Sequence, residues 1–449
     1  MTEWSLCGEE DRVRLLGRST SEFDPELRDS ILKLVEEVKD EGDAAVVRAL
    51  ERHDGIAVDQ SRLRLSADEI ARGAGQVDPG LAAALRHAIR NIETFNRRVI
   101  EETRWEIEIE PGLVAGQRST PIASAGLFVP SGKGSFPSVL AQIGTPARVA
   151  GVPETAVVVP PVAGGSGEVD PAVLFVAVEL GLEAVYRANG PAGVAALAFG
   201  TESIPKVVKV VGPGSAPVQA AQIACQLFGC HTQMVMGPTE SLVIADGDAD
   251  PVLVAADLIN EAEHGPDSAS VLVTDSAGLI VEARRSVAEQ LLELPETRRE
   301  YAAGVLSKPG TAFLVESLEA AAEVANRYGP EHLMINASEP DAVAELIVHA
   351  GEVLIGESTP FTLGNYAAGG PAALPTNGFA RVTGGVTAET FRKKVATAKA
   401  TPEGLDGLAP DLVAIAEHEG FPAHAAAVRI REGGSQSRVY KNQAKEEDR

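Results

Sequence analysis

From Ile122 to Gly356 the chain alternates short apolar runs, rich in valine and alanine, with stretches of helical periodicity, and this rhythm restricts the fold more than any other feature. Ala156–Val159 reads as a strand, Asp170–Gly181 as a helix and Val207–Val211 as a strand. Pro217–Phe228 reads as a helix, Leu242–Ala245 as a strand, Ala249–Asn260 as a helix and Val271–Thr274 as a strand. Ala312–Val315, Leu333–Asn336 and Val353–Gly356 continue the series. Wholly apolar strands separated by helices are the mark of parallel sheets covered on both faces. Helical segments flank the alternating region. Pro25–Gly42 sets Leu27, Ile31, Leu32, Leu34 and Val35 on an amphipathic pattern, Gly80–Val99 is similar, and the whole stretch to about Trp105 reads as helical. The expected fold is α/β, with two open Rossmann-like parallel-sheet units and helical N- and C-terminal extensions, rather than one barrel. The expected divisions are a helical region over 1–120, a first Rossmann-like unit over 121–238, a second over 239–400 and a helical tail over 401–449. Pro402–Pro410 reads as a Gly/Pro-containing break, Asp411–Arg431 as a short helical tail, and residues 433–449 as polar and disordered.

A chain of 449 residues, 45% of them hydrophobic, can build two or three domains with sizeable cores. No apolar run approaches the roughly 20 residues that a membrane helix needs. The first segment is charged rather than apolar, so no signal peptide is expected and the cytoplasm is the expected compartment. A net charge of −25 repels nucleic acid and anionic membranes and argues against both as partners. The three cysteines, Cys7, Cys225 and Cys230, fit a reducing compartment, and Cys225 and Cys230 read as small apolar residues.

Two glycine loops follow apolar runs. Gly212-Pro-Gly-Ser215 lies between a strand and a helix, where backbone N–H groups can approach a pyrophosphate. Ser131-Gly-Lys-Gly-Ser135 is similarly placed. Neither has the spacing of GxGxxG or of a P-loop, so either loop can equally be a structural turn. The eight histidines carry more information. His264 and His332 each follow a glutamate, with glycine and proline alongside, at the end of an expected helix. Two carboxylates and two imidazoles in such loops can bind a metal and shuttle protons, or can be capping and solvated pairs, and the pattern alone leaves both readings open. His53, His87 and His349 read as surface residues in helix-like stretches.

A set of ordered segments then identifies a family. Phe128-Val-Pro-Ser-Gly132, Ala195-Ala-Leu-Ala-Phe-Gly-Thr-Glu-Ser203, Val211-Gly-Pro-Gly214 and Gly237-Pro-Thr-Glu240 are followed by Ala262-Glu-His-Gly-Pro-Asp-Ser268, Tyr328-Gly-Pro-Glu-His-Leu333, Leu374-Pro-Thr376 and Ala423-His424. In order and spacing, from roughly Ile31 to Arg431, the chain resembles the histidinol dehydrogenases.

The resemblance implies one zinc ion and NAD. Two of the family's zinc ligands match His264 and His424. At the other two positions Glu261 stands for a glutamine and Asn365 for an aspartate, so an acid and an amide have exchanged places and the carboxylate count is unchanged. Zinc accepts such N and O ligands; loss of the metal is the competing reading. The family's acid–base pair maps onto Glu331 and His332, with His332 removing the hydroxyl proton and Glu331 activating the water that attacks the bound aldehyde. Thr239, Glu261, His264, His332, Asn365, Glu419 and His424 are the implied substrate contacts. Phe128, Ala192 and Ser215 stand at cofactor or substrate positions where the family has a tyrosine, a glutamine and an asparagine. Glu419 and His424 lie in a segment that crosses to the neighbouring subunit in the family, which implies an intertwined homodimer with shared sites. The resemblance thus implies oxidation of an amino alcohol, through an aldehyde, to a carboxylic acid. The three altered contacts and the exchanged ligands fit a paralogue acting on another polar primary alcohol, and a catalytically inactive binding protein of the same fold is the reading from a different class.

Overall fold

The computed structural model describes residues 2–18, 24–130, 134–162, 164–165, 167–232 and 236–432. Along the chain come β1 (Thr2–Glu3), α1 (Pro25–Glu41), α2 (Pro79–Val99), β2 (Arg104–Glu110) and β3 (Leu113–Pro121). Next are β4 (Ser124–Phe128), β5 (Glu154–Val159), α3 (Pro171–Leu180), β6 (Val185–Arg187), α4 (Gly190–Phe199), β7 (Lys209–Val211), α5 (Ala216–Gln226) and β8 (His231–Thr232). Then follow β9 (Glu240–Ala245), α6 (Pro251–Ala262), β10 (Ala269–Thr274), β11 (Ala312–Leu314), α7 (Leu318–Tyr328), β12 (His332–Asn336), β13 (Glu352–Ile355), α8 (Phe361–Tyr366), β14 (Arg392–Ala400), α9 (Pro402–His418) and α10 (Pro422–Arg429), with shorter helices between. Several helices begin on an Asp-Pro pair. The carboxylates of Asp24, Asp170 and Asp250 accept from first-turn N–H groups, while the following proline, which has no N–H to lose, fits the first helical position.

Residues 1–99 and 121–391 form one compact unit. It holds two parallel sheets, with strand orders β6-β5-β4-β7-β8 and β1-β11-β10-β9-β12-β13. Apart from the edge strand β1, each sheet runs outward in both directions from its first strand, the doubly wound order that opens a crevice where the direction reverses. The apolar runs are explained by burial on both faces. In the second sheet, Leu242, Ile244, Leu333 and Ile335 pack with Ala321, Val324 and Ala325 of α7, while Val243, Ala245 and Met334 pack with Val254 and Leu258 of α6. Cys225 and Cys230 belong to the core around the first sheet, and burial pushes their thiols up to about 12 and 11.

The other unit comprises residues 100–120 and 392 onward, and its sheet has the order β14-β3-β2. Here the structure corrects the sequence reading. Pro402–Pro410 is not a break: α9 runs through it, with Pro402 in its first turn, Thr401 accepting from the Gly404 N–H, and Pro410 inside the helix. Gly404 is there for contact, since a Cβ would stand 2.6 Å from the Gly112 carbonyl oxygen. The interruption comes instead at Gly420, whose φ of 75° is left-handed. The region before Trp105 is not wholly helical either, because β1 pairs with β11. His349 lies in the loop before β13, outside any helix. The expected disorder of residues 433–449 and the loop residues 131–133 fall outside the described residues. No helix among the described residues is long and apolar enough to cross a membrane.

At the reversal point of the first sheet, the end of β7 lies against the end of β4. Gly212 has φ 154°, and a Cβ there would stand 2.1 Å from the Phe128 carbonyl oxygen. Gly212→Ala must therefore separate the strands or strain the loop. It should cost about 1–3 kcal/mol, read as a lowered midpoint of thermal unfolding.

Candidate active site

The side chains singled out in the second half of the sequence meet at the amino edge of the second sheet, where helices end and strands begin. Gly329, left-handed at φ 59°, closes α7, and Glu331 two residues later directly precedes His332, the first residue of β12. Both are buried. Glu331 Oε2 accepts from the backbone N–H of Glu240 at 3.0 Å, and its Oε1 stands 3.8 Å from His332 Nε2. The opposite ring nitrogen, Nδ1, lies 2.5 Å from Glu352 Oε1 in a hydrogen bond. Parallel register sets this up, since His332 and Glu352 are the first, paired residues of β12 and β13. The edge of the ring meets Phe361 of α8, with centroids 6.0 Å apart.

Electrostatics follow from this crowding. Burial, opposed by His332 and the Glu240 N–H, pushes the Glu331 carboxyl up to about 8. For His332, burial disfavours the cation, but Glu331, Glu352 and Glu261 outweigh it and hold the imidazole above its ordinary value. The two groups therefore exchange protons as a coupled pair.

Beside them, Glu261 lies in the last turn of α6 and is fully buried. Its Oε1 accepts from Asn260 and from Asn365, each at 2.8 Å. Its Oε2 is buried, has no hydrogen-bond partner among the described residues, and lies 3.9 Å from His264 Nε2. His264 Nδ1 engages the Thr239 hydroxyl at 3.1 Å, which turns Nε2 toward Glu261. A buried carboxylate oxygen without a donor is costly, and the negative end of a helix makes it more so, unless a cation sits there. Glu261, His264 and the oxygen of the Asn365 amide thus fit a metal. Among the described residues, no three His, Cys, Asp or Glu side chains converge as a metal cage. Glu419, the residue after α9, and His424 of α10 belong to the other unit, and both are exposed.

The positions expected to meet a cofactor lie at the carboxyl edge of the first sheet. Phe128 ends β4 and Ala192 lies in the first turn of α4. Both are buried and carry no polar side-chain atom. Ser215, exposed, precedes α5, and its hydroxyl makes no capping bond. This edge adjoins the amino edge of the second sheet. Gly214 donates to the Met236 carbonyl at 3.1 Å, Gln219 clamps both polar backbone groups of Met236, and the Gly237 N–H reaches the Thr376 hydroxyl at 2.8 Å. Three residues further on, β9 begins at Glu240.

The sequence reading missed Glu352, which no histidine, glycine motif or spacing marks; only strand register brings it to His332. It also passed over Arg18. The Arg18 guanidinium stacks on the Tyr328 ring at 3.8 Å and pairs with buried Glu240, Nε to Oε1 2.9 Å. The same Glu240 supplies the N–H to Glu331.

The family model described as "Histidinol dehydrogenase" matches residues 17–432. Histidinol dehydrogenase of Synechocystis sp. is 39% identical over 410 residues, which cover 89% of this chain and 92% of that protein. A "Histidinol dehydrogenase homolog" of Colwellia psychrerythraea is 38% identical over 421 residues, 93% of each chain. The crystal structure of histidinol dehydrogenase from Elizabethkingia anophelis matches with a TM-score of 0.88 and 33% identity, covering 95% of this chain and 96% of that one.

The matched residues include the Arg18–Glu240 pair, which braces the start of β9, directly after Thr239. Removing the cation leaves the buried Glu240 carboxylate with the Asn377 N–H but without the Arg18 charge. Arg18→Met should therefore lower stability by about 2–3 kcal/mol, and adding Glu240→Gln should recover part of the loss, both read from thermal unfolding.

Proposed function

The chain belongs to the histidinol dehydrogenase family, and from that premise we propose that it is a zinc- and NAD-dependent alcohol dehydrogenase. It oxidises an amino alcohol such as L-histidinol, through a bound aldehyde, to the carboxylic acid. The observation that carries the reading is the buried Glu331–His332 pair beside the unpartnered Glu261 oxygen. Glu261, His264 and Asn365 would hold the zinc, with His424 from a second copy of the chain as the fourth ligand. Bound there, the zinc supplies a Lewis acid for the substrate oxygen. His332 takes the hydroxyl proton on Nε2 in the first half of the reaction, and Glu331 takes a proton from the attacking water in the second. Thr239 orients His264 through its hydroxyl, and Glu419 would reach the substrate from the second copy.

NAD would lie in the crevice where the first sheet reverses, with Phe128, Ala192 and the Gly212–Ser215 turn along it. The adjoining edges of the two sheets support a cofactor held by one and used at the other. A homodimer is supported by apolar side chains that one copy leaves exposed: Trp105, Ile107 and Ile109 on β2, and Ile415, Phe421 and Ile430 around the terminal helices. Few cysteines support a cytoplasmic setting. A second reading, a paralogue oxidising another polar primary alcohol, is favoured by Phe128 and Ala192, whose side chains offer no polar atom where the resemblance implies a tyrosine and a glutamine.

Purified protein should carry about one zinc per chain. Chelation should abolish turnover and added Zn²⁺ should restore it, while a screen of polar primary alcohols with NAD that includes L-histidinol should yield NADH. Metal far below one equivalent that zinc cannot restore would sink the metal site. Loaded protein that oxidises no alcohol would make a non-catalytic binding protein the better reading.

Glu331→Gln should slow oxidation of supplied aldehyde by about 10²–10⁴-fold and slow its reduction to the alcohol much less, whereas His332→Ala should damage both. Because Glu331 acts as a base only when ionised and burial holds it up to about 8, aldehyde oxidation should fall as pH drops from about 9 to about 7. Equal loss in both directions for Glu331→Gln would refute the division of roles.

A further inference from the structure

We infer that Glu352 is the positioning residue for the base: in the neutral ring of His332 it keeps the one proton on Nδ1, leaves Nε2 free to take the substrate proton, and stabilises the imidazolium that results. The inference rests on the reading above that His332 is that base, and it extends that reading to a residue the resemblance does not assign. Three observations carry it.

The first is register. Ser270, Ser241, His332 and Glu352 are consecutive partners across β10, β9, β12 and β13, so their side chains form one row on the α6 face of the sheet. Within the row, Ser270 donates to the Leu258 carbonyl and Ser241 to Ser270. That leaves the imidazole to Glu352.

The second is the bond itself. Nδ1 and Oε1 are 2.5 Å apart on a ring that is 3% exposed. On the far side of the ring, Glu331 stands at 3.8 Å from Nε2, beyond hydrogen-bond reach. A carboxylate only accepts, so this bond places the ring proton on Nδ1.

The third is confinement. A Cβ on Gly364 of α8 would stand 2.7–3.1 Å from the carboxyl atoms of Glu352. The helix backbone therefore lies directly against the carboxylate and narrows the positions it can take. One residue later, Asn365 reaches Glu261.

The step is balanced as follows. The alcohol O–H bond breaks and its proton goes to Nε2. The adjacent C–H bond breaks and its hydrogen leaves with the electron pair to oxidised nicotinamide, and the carbon–oxygen bond becomes a carbonyl. A neutral ring with its proton on Nε2 could not accept the substrate proton. A carboxylate on Nδ1 both excludes that form and offsets the charge that appears on the ring, which is the role of the aspartate in a Ser-His-Asp triad.

The test uses the full-length, zinc-loaded protein. Glu352→Gln should lower kcat by about 10²–10⁴-fold with KM within about threefold. The loss should be alike for alcohol oxidation and aldehyde reduction, and Glu352→Asp should restore part of it. His332→Ala with Glu352→Gln should be no slower than His332→Ala alone, because Glu352 acts through the ring. A Glu352→Gln enzyme at wild-type rate would overturn the inference, and so would a double variant slower than His332→Ala by the full single-variant factor. A second readout needs no turnover. In ¹⁵N-histidine NMR at a pH where the ring is neutral, with His332→Gln identifying the resonances, the wild-type ring should be protonated at Nδ1, and Glu352→Ala should move protonation toward Nε2. An unchanged ring also overturns the inference. If no alcohol is oxidised, the proposed activity falls, and the NMR result still decides the role of Glu352.

Discussion

Four carboxylates, those of Glu240, Glu261, Glu331 and Glu352, are crowded at the amino edge of one parallel sheet, and their neighbours are placed to offset that charge. Each has a different solution. Glu240 has Arg18, stacked on Tyr328. Glu352 has the imidazole of His332. Glu331 has one backbone N–H and a carboxyl that burial keeps protonated to higher pH. Glu261 has two amides on one oxygen and, among the described residues, only the more distant His264 near the other. The order matters chemically. The fully compensated residues hold others in place, and the incompletely compensated ones are left with reactive capacity, a proton to exchange at Glu331 and a vacant lone pair at Glu261.

The exchange of acid and amide that the resemblance implies for Glu261 and Asn365 fits this arrangement. The two side chains are hydrogen-bonded to each other, so an acid on one and an amide on the other gives one acceptor and one donor. Two acids would repel across 2.8 Å, and two amides would leave a cation without a counter-charge. Either single change from the pattern the resemblance implies would disturb the site, whereas the reciprocal change keeps both the hydrogen bond and the charge. The structure thus supplies a reason for the pairing that the sequence shows only as two departures.

What could be read in the sequence and what could not divides along a physical line. Strands β5, β9, β10 and β12 were legible because burial on both faces writes a continuous apolar run. The helices starting at Pro25 and Pro171 were legible from amphipathic or apolar periodicity. Strands β6 and β8, three and two residues long, carry too few side chains to show a period. Pro402–Pro410 misled because proline and glycine mark breaks on average, while here one proline starts a helix and Gly404 makes room for Gly112. Glu331 and His332 were legible as neighbours in the chain, and the resemblance gave them roles. Glu352 is 20 residues from His332 and meets it only because β12 and β13 align in parallel; no local pattern encodes that register.

The two sheets share a winding order but offer opposite edges. In doubly wound sheets the ligand crevice opens at the carboxyl ends of the strands, and the first sheet keeps its glycine turn there. The second sheet puts its titratable groups at the amino ends, where helices α6 and α7 terminate. Their C-terminal dipoles favour positive charge, as a zinc ion or an imidazolium would supply, rather than the phosphates that helix N-termini attract. The short link from Gly214 through Met236 and Gly237 to Glu240 then joins the two kinds of edge. The pyrophosphate of a bound dinucleotide would suit the first edge, and its nicotinamide ring, cationic when oxidised, would suit the acidic second one.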